Sequence, residues 1–429
     1  MFDPQRRAAS GELRASIKSL IAFLEHNEAD LGLRKRVRKE ADRKTFHLAV
    51  EAIACNLAAI PLLDPERPLA VPRSSGVTWA KGRYRNPVYG QHFLDALDLM
   101  ARPKVGLIAE LRRGYRFAAD KKQPSSVIPT AAFAARVPLA LIHWEAFDRA
   151  EEPEVLILKG AKGDDTGIAD AIDYPETRET RRMRRDVQRI NDWLRKAPLR
   201  VEGDKGATGL DDDESQPIDP TRRSVRRVFN NGIWQEGGRL FRGFWETMRR
   251  PDRFRLLRIC TATNPEGEPV ANVDFSHLFP TLAYQSAKCA LPNRDLYDLF
   301  GDGTSRDGFK KLINALFFAQ GKMTRWPRET SDLFASGTKL RDALALVRQE
   351  HAPIAHLFGT GIGYRFMFIE SGVLIEALLD CFATGITALP LQDSVLVAES
   401  DAEAAKAIME QAFERAMGES GGKLKVDFG

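Results

Sequence analysis

The stretch from Glu268 to Gln285, EPVANVDFSHLFPTLAYQ, constrains the fold more than any other part of this chain. An apolar, β-prone approach through Val270 and Val273 delivers Asp274, and a short polar turn then opens a helical run over 278–288. Pro280 falls in the first turn of that run, where its missing N–H has no intrahelical partner to lose. The segment predicts a strand that ends on a carboxylate, with a helix starting just after it. A carboxylate fixed at the mouth of a strand suits a metal ligand, because Mg²⁺ demands near-ideal oxygen geometry. An N-cap aspartate would satisfy the same pattern, so the choice between cap and ligand depends on what lies downstream.

The chain has 429 residues, 43% of them hydrophobic and 29% charged, which is an ordinary globular composition long enough for two or three domains. The net charge of +5 decides little, but Lys and Arg arrive in bursts over 34–43, 178–200, 222–227 and 239–258, a distribution that favours a polyanionic partner. Cys55, Cys260, Cys289 and Cys381 form no CxxC pair, which predicts reduced thiols and neither a zinc site nor a disulfide framework. The seven histidines form no ligand cluster. With no signal-like apolar region and no apolar run judged long enough to span a bilayer, the expectation is a soluble, cytoplasmic protein without a membrane partner.

Three pieces are expected: 1–150, 151–220 and 221–429. Residues 11–60 carry two runs of helical periodicity, and 61–72 breaks the pattern. Within the break, Asp64-Pro65-Glu66 has the D-x-E spacing of a proofreading exonuclease, but the flanking prolines predict a loop and no nuclease is assigned. Next, GQHFLDALDLMAR is amphipathic and leads into two strand-like runs, 106–110 and 114–120, joined by Leu111-Arg112-Arg113. A helix feeding a basic-tipped hairpin outlines either a winged helix, in which Arg112, Arg113 and Arg116 would meet phosphates, or a small α+β packing module with those arginines facing water. Residues 137–160 read as β-rich, TRETRRMRRDVQRINDWLRK (177–196) as an arginine-dense helix with Val187, Ile190 and Leu194 on one stripe, and 203–220 as a linker.

Beyond the linker four motifs follow in order. They are GGRLFRGFW (237–245), VDFSHLFP (273–280), SRDGFKKLINALFF (305–318) and ITALPLQDSVLVAES (386–400). The last reads as a hairpin turning at Gln392-Asp393-Ser394, which presents a second carboxylate at a strand junction. If the two strands are neighbours, Asp274 and Asp393 can hold a pair of Mg²⁺ ions, the usual arrangement for nucleotidyl transfer. The intervening helix places Arg306, Lys310, Lys311 and Asn314 where several share a face suited to phosphates. The segment GTGIG (359–363) follows no clear strand and reads as a connection.

This arrangement resembles the palm and fingers of family A template-directed polymerases, the group that includes bacterial DNA polymerase I and the single-subunit phage RNA polymerases, over about 222–417. Gly238-Arg239-Leu240 is similar to T-G-R-L, Asp274-Phe275-Ser276 to D-Y-S, and Asp393-Ser394 to H-D-E or H-D-S. The helix around 366–382, with Glu370, takes the place of the one that lies along template and primer. Gln392 stands where the histidine is usual, and no clear Tyr-Gly closes the fingers motif. The first motif also resembles family B polymerases (D-F-x-S-L-Y-P), and Lys310 with Asn314 fits their K-x-x-x-N, but Leu391 stands where family B carries a further aspartate.

The resemblance implies an α+β protein with a right-hand palm, helical fingers and a thumb that includes the 177–196 helix, together with the N-terminal helical, winged-helix-like region. It implies a DNA polymerase that extends a primer–template with dNTPs, using two Mg²⁺ or Mn²⁺ ions on Asp274 and Asp393. Arg306, Lys310 or Lys311, and Asn314 would hold the nucleotide, with a ring from Phe317 or Phe318 stacked on it. Arg239, Arg242, Gln392 and Glu370 would serve primer and template. Phe279 would sit by the sugar and, by crowding a 2′-hydroxyl, favour deoxynucleotides. The alternatives are an RNA polymerase or primase on the same fold, and a replication or plasmid-maintenance DNA-binding protein without turnover.

Overall fold

Glu268–Phe275 forms a strand inside a six-stranded sheet. Along one edge it pairs antiparallel with Ser394–Ala398, which turns back into Leu389–Leu391. Its other edge is shared: Arg258 and Ile259 of Leu257–Ile259 pair with its first residues, and Leu424–Asp427 pairs antiparallel with its last four. Leu199–Val201 closes the far side of the sheet. Alternation is what sends Ala271, Val273 and Phe275 into the core while Asn272, Asp274 and Ser276 stay partly open. The computed structural model describes every residue except 35, 75–81, 113, 117–121, 162–168, 204–217 and 419–422. Most of the expected linker, 203–220, therefore lies outside the described residues, as does Arg113.

The protein is α+β and divides into two units. The second comprises Leu156–Arg200, Ser224–Glu246 and Arg253–Gly429 and contains the sheet just described. Its other sheet runs in the order Ile233–Phe241, Arg226–Asn230, Leu156–Leu158, and the helix Gly363–Ala383 packs on Ile233–Phe241. The helix Arg178–Lys196 starts from a reciprocal Thr177/Thr180 cap. It buries Met183, Val187, Ile190 and Leu194, and Trp193 stacks on Phe382 of the Gly363–Ala383 helix with ring centroids 4.9 Å apart. The expected middle piece, 151–220, is thus divided between the units, and its arginine-dense helix belongs with the second.

The first unit comprises Met1–Val155, Val201–Arg223 and Thr247–Asp252. The helices Gly11–Asp30, Glu40–Ala58 and Gln91–Ala101 bury Leu20, Phe46, Ile53, Phe93 and Met100 in one core. Glu40–Leu63 has the length and hydropathy of a membrane span, more apolar than the sequence reading allowed, but 72% of that window is buried within the protein. Asp64-Pro65-Glu66 lies in the loop expected of it, with the Glu66 amide donating to Asp64 Oδ1.

Two expectations for this unit are corrected. The hairpin after Gln91–Ala101 does not turn at Leu111-Arg112-Arg113; Ile108–Arg112 pairs instead with Ser125–Pro129, and Tyr115–Arg116 pairs with Lys122–Gln123. Gly114 shows why. A Cβ there would come within 2.8 Å of the Gln123 carbonyl oxygen and the Ser125 amide, so only glycine lets the chain pass this close to its partner segment. The second correction is VPLALIHW, which forms the 3₁₀ turns Leu139–Leu141 and Trp144–Ala146 where strand was expected. Pro138 lacks the N–H that a ladder needs, and Leu141 is 67% exposed, so no apolar face alternates here.

Candidate active site

Asp274 sits on the open face of the central strand, one residue from its end. Its ladder partner on one side is Ser394, the residue after Asp393, and on the other is Lys425. The hairpin that carries Asp393 is tight: Leu391 pairs with Ser394, leaving Gln392 and Asp393 as the loop. Gln392 takes a φ of +58°, the left-handed value demanded at the first loop position of such turns, and it is exposed. The helix that follows Asp274, Leu278–Ser286, has His277 as its N-cap, so Asp274 is not spent on capping.

Burial and the neighbouring Asp393 push the Asp274 carboxyl up to about 6, against the opposing pull of Lys425 and Lys310. Lys425 Nζ lies 3.4 Å from Asp274 Oδ2. A carboxylate near the end of a strand and another in the adjoining two-residue turn, the second raising the cost of the first one's charge, form a donor set that a divalent cation relieves, so these residues fit a Mg²⁺ or Mn²⁺ site. The Asn272 side-chain oxygen, on the same strand face and buried without a hydrogen-bond partner, adds a neutral donor nearby. Among the described residues no group of three or more His, Cys, Asp or Glu side chains is gathered for a metal.

The bulged strand Ile233–Phe241 brings Arg239 to this place. Gly237 and Gly238 both have positive φ, and the ladder with Arg226–Asn230 shifts register around them. A Cβ on Gly238 would lie 2.7 Å from Ser371 Oγ, so only glycine lets the strand approach the Gly363–Ala383 helix. Beneath the bulge, the buried Arg227 donates to the Gly238 carbonyl and to Ser371 Oγ, each at 3.0 Å. Arg239 then forms a two-pronged pair with Glu370, at 2.7 and 2.8 Å. Glu370 is 1% exposed; burial pushes its carboxyl up to about 7, aided by Asp393 and Asp274, although Arg239 draws it the other way. Arg239 stays charged, held by Glu370 with the two aspartates behind it.

The helix Arg306–Phe318 separates the two rival lysines. Lys310 is half-buried and acts electrostatically on Asp274. Lys311 is exposed and donates to the Glu329 carbonyl at 3.0 Å. Arg306 is engaged by Asp295 at 2.8 Å and lies 5.8 Å from the Tyr297 ring centroid. Asp295 also accepts from His277, and these contacts hold its carboxyl well below the usual range despite partial burial. Asn314 accepts from the Tyr297 hydroxyl at 3.2 Å.

Phe317 is wholly buried against Phe358 and Phe366, with no ring face open to solvent. Phe318 remains partly exposed and packs 5.5 Å from Phe279. Phe279, 8% exposed, has the Arg239 guanidinium 5.9 Å from its ring centroid. Arg242 is exposed with φ +102°. Arg112 is an exposed strand residue of the first unit, and of Arg116 only the backbone is described.

Sequence reading did not single out Lys425, Asp295 or Tyr297. Alternation in KLKVDF marks a short strand, but nothing local says which strand it joins. No model of a known protein family matches this chain, and no curated protein sequence matches it significantly.

Proposed function

We propose that this protein is a template-directed nucleotidyltransferase of the DNA polymerase type, working from a palm-like sheet in the second unit. The observation that carries the reading is the placement of Asp393 in a two-residue turn next to Asp274, on neighbouring antiparallel strands, with Arg239 and Lys310 both acting on the Asp274 carboxylate. The order of motifs along the chain supports the same reading, as does the helix Leu278–Ser286 directly behind the first carboxylate.

In this reading Asp274 and Asp393 hold two Mg²⁺ ions, which when bound activate a primer 3′-hydroxyl and neutralise the triphosphate. The chain's own groups do the positioning. Arg239, locked by Glu370, fixes the primer end, and Lys310 meets the nucleotide phosphates and stabilises charge on the departing pyrophosphate. Phe279 sets the wall by which a 2′-hydroxyl would be crowded. Arg178, Arg181, Arg182, Arg185 and Arg189 all lie exposed on one helix and make no ion pair among the described residues, a surface that suits duplex phosphates.

The test is extension of a primed DNA template with Mg²⁺ and either dNTPs or NTPs. Extension with dNTPs, and several-fold less with NTPs, is the expected result. Efficient extension with NTPs removes the sugar assignment. No extension with any divalent ion while duplex binding persists favours the binding-protein alternative. A finer result separates the lysines: Lys310→Ala should raise the nucleotide KM about tenfold or more, the scale of one charged hydrogen bond. Lys311→Ala should stay within about twofold of wild type, as exposed side chains do.

A further inference from the structure

The strand Leu424–Asp427 places Lys425 directly opposite Asp274, with Nζ 3.4 Å from Oδ2. Asp274 is 18% exposed and Lys425 is 53% exposed. The ammonium therefore reaches in from solvent on a flexible stem, while the ladder fixes the root of that stem. Lys310 also faces this carboxylate, but among the described residues only Lys425 forms an ion pair with it. On its opposite flank Asp274 has Asp393, so the ammonium offsets the repulsion within the aspartate pair.

An ammonium and a divalent ion compete for one carboxylate. The metal needs Asp274 oxygens free of a hydrogen-bonding cation, and the withdrawn lysine needs a new anion. An incoming triphosphate, arriving where Lys310 already draws phosphate, is such an anion. We propose that Lys425 is a displaceable internal counter-cation: it occupies Asp274 until nucleotide arrives, then moves to the phosphates and leaves the carboxylate to the metal. This rests on reading Asp274 and Asp393 as metal ligands. Metal and nucleotide binding are then coupled through one side chain, and the coupling is reciprocal.

The experiment measures Mn²⁺ binding to the full chain without nucleotide, by electron paramagnetic resonance and calorimetry, for wild type, Lys425→Met, Lys425→Arg and Asp274→Asn. Lys425→Met should bind Mn²⁺ roughly five-fold more tightly, the order expected on losing a half-exposed ion pair. Lys425→Arg should match wild type, because a guanidinium supplies the same competitor and reports any unrelated damage to the strand. Nucleotide KM at saturating Mg²⁺ should rise several-fold in Lys425→Met, opposite in sign to the metal effect. Unchanged or weaker Mn²⁺ binding by a folded Lys425→Met overturns the proposal. Mn²⁺ binding that survives Asp274→Asn unchanged overturns the metal-site reading itself, and the proposal with it.

Discussion

Asp274→Asn should lose primer extension by a factor on the order of 10³ and yet unfold at a higher temperature than wild type at pH 8 in EDTA. Asp393→Asn should lose extension to a similar degree. Both halves follow from the same carboxylate. Burial and Asp393 hold the Asp274 carboxyl at about 6, above its ordinary 3.8. The folded chain therefore keeps a proton that the unfolded chain has released. Stability is lost as pH rises from about 4 through 6, and above that window the whole penalty stands. The gap is worth up to about 3 kcal/mol with the pull of Lys425 already included, less the screening by solvent at the site. Asparagine has the shape without the charge and removes the penalty, so its advantage should be a few degrees at pH 8 and fade as pH falls towards 5. Saturating Mg²⁺ should reverse the order, because only the wild-type carboxylate gains from the ion. An Asp274→Asn protein that is less stable than wild type at pH 8 without metal would contradict the electrostatic account. Extension within tenfold of wild type would contradict the catalytic one.

The parts of the site that were legible in the sequence are those fixed by local chemistry. Alternation around Val270 and Val273 and a proline in the first turn of the next helix specify the strand and helix on either side of Asp274. A polar pair between apolar runs specifies the hairpin at Gln392 and Asp393. The pairing of distant segments was not legible, because a strand's register depends on a partner that its own residues do not name. Leu424–Asp427 thus brings Lys425 to Asp274 without local warning, and Ile108–Arg112 takes Ser125–Pro129 as its partner. The sequence left Lys310 and Lys311 as rivals for a related reason. One residue is about 100° around a helix, and only the packing of Phe309, Leu312, Ile313 and Leu316 sets which lysine comes within electrostatic reach of Asp274. Glu370 did leave a trace, as an acid inside the apolar run FMFIESGVLIEALL; a buried carboxylate requires a cation, and Arg239 is that cation 131 residues away.

Breaking that pair from the arginine side should give a defect that grows with pH. In wild type the Glu370 carboxyl already stands at about 7, well above its ordinary 4.5, so stability from this group falls between those two values and then levels off. Arg239 is the main influence holding the value down. In Arg239→Met the folded-state value moves higher, and the loss continues through pH 8 and 9 where wild type is level. Removing one partner of a buried pair costs about 3–5 kcal/mol when the other stays charged. At pH 6 Glu370 is largely protonated and the cost should be a fraction of that; at pH 9 it should approach the full figure. Arg239→Met/Glu370→Met removes both charges, leaves no buried orphan, and should recover most of the loss of Arg239→Met at pH 9 while showing none of the pH dependence that Glu370 brings. Activity separates from stability at this point. The double variant should fold like wild type but still lose primer extension, with the defect in primer affinity, because no guanidinium stands beside Asp274 and Asp393 to hold the primer end. Urea unfolding at pH 6, 7.5 and 9, set beside primer KM, reads both quantities. A stability gap for Arg239→Met that is flat across this range would mean that Glu370 does not titrate against Arg239. Full extension by the double variant would mean that the pair is scaffolding for the Gly237–Gly238 bulge and has no role at the primer.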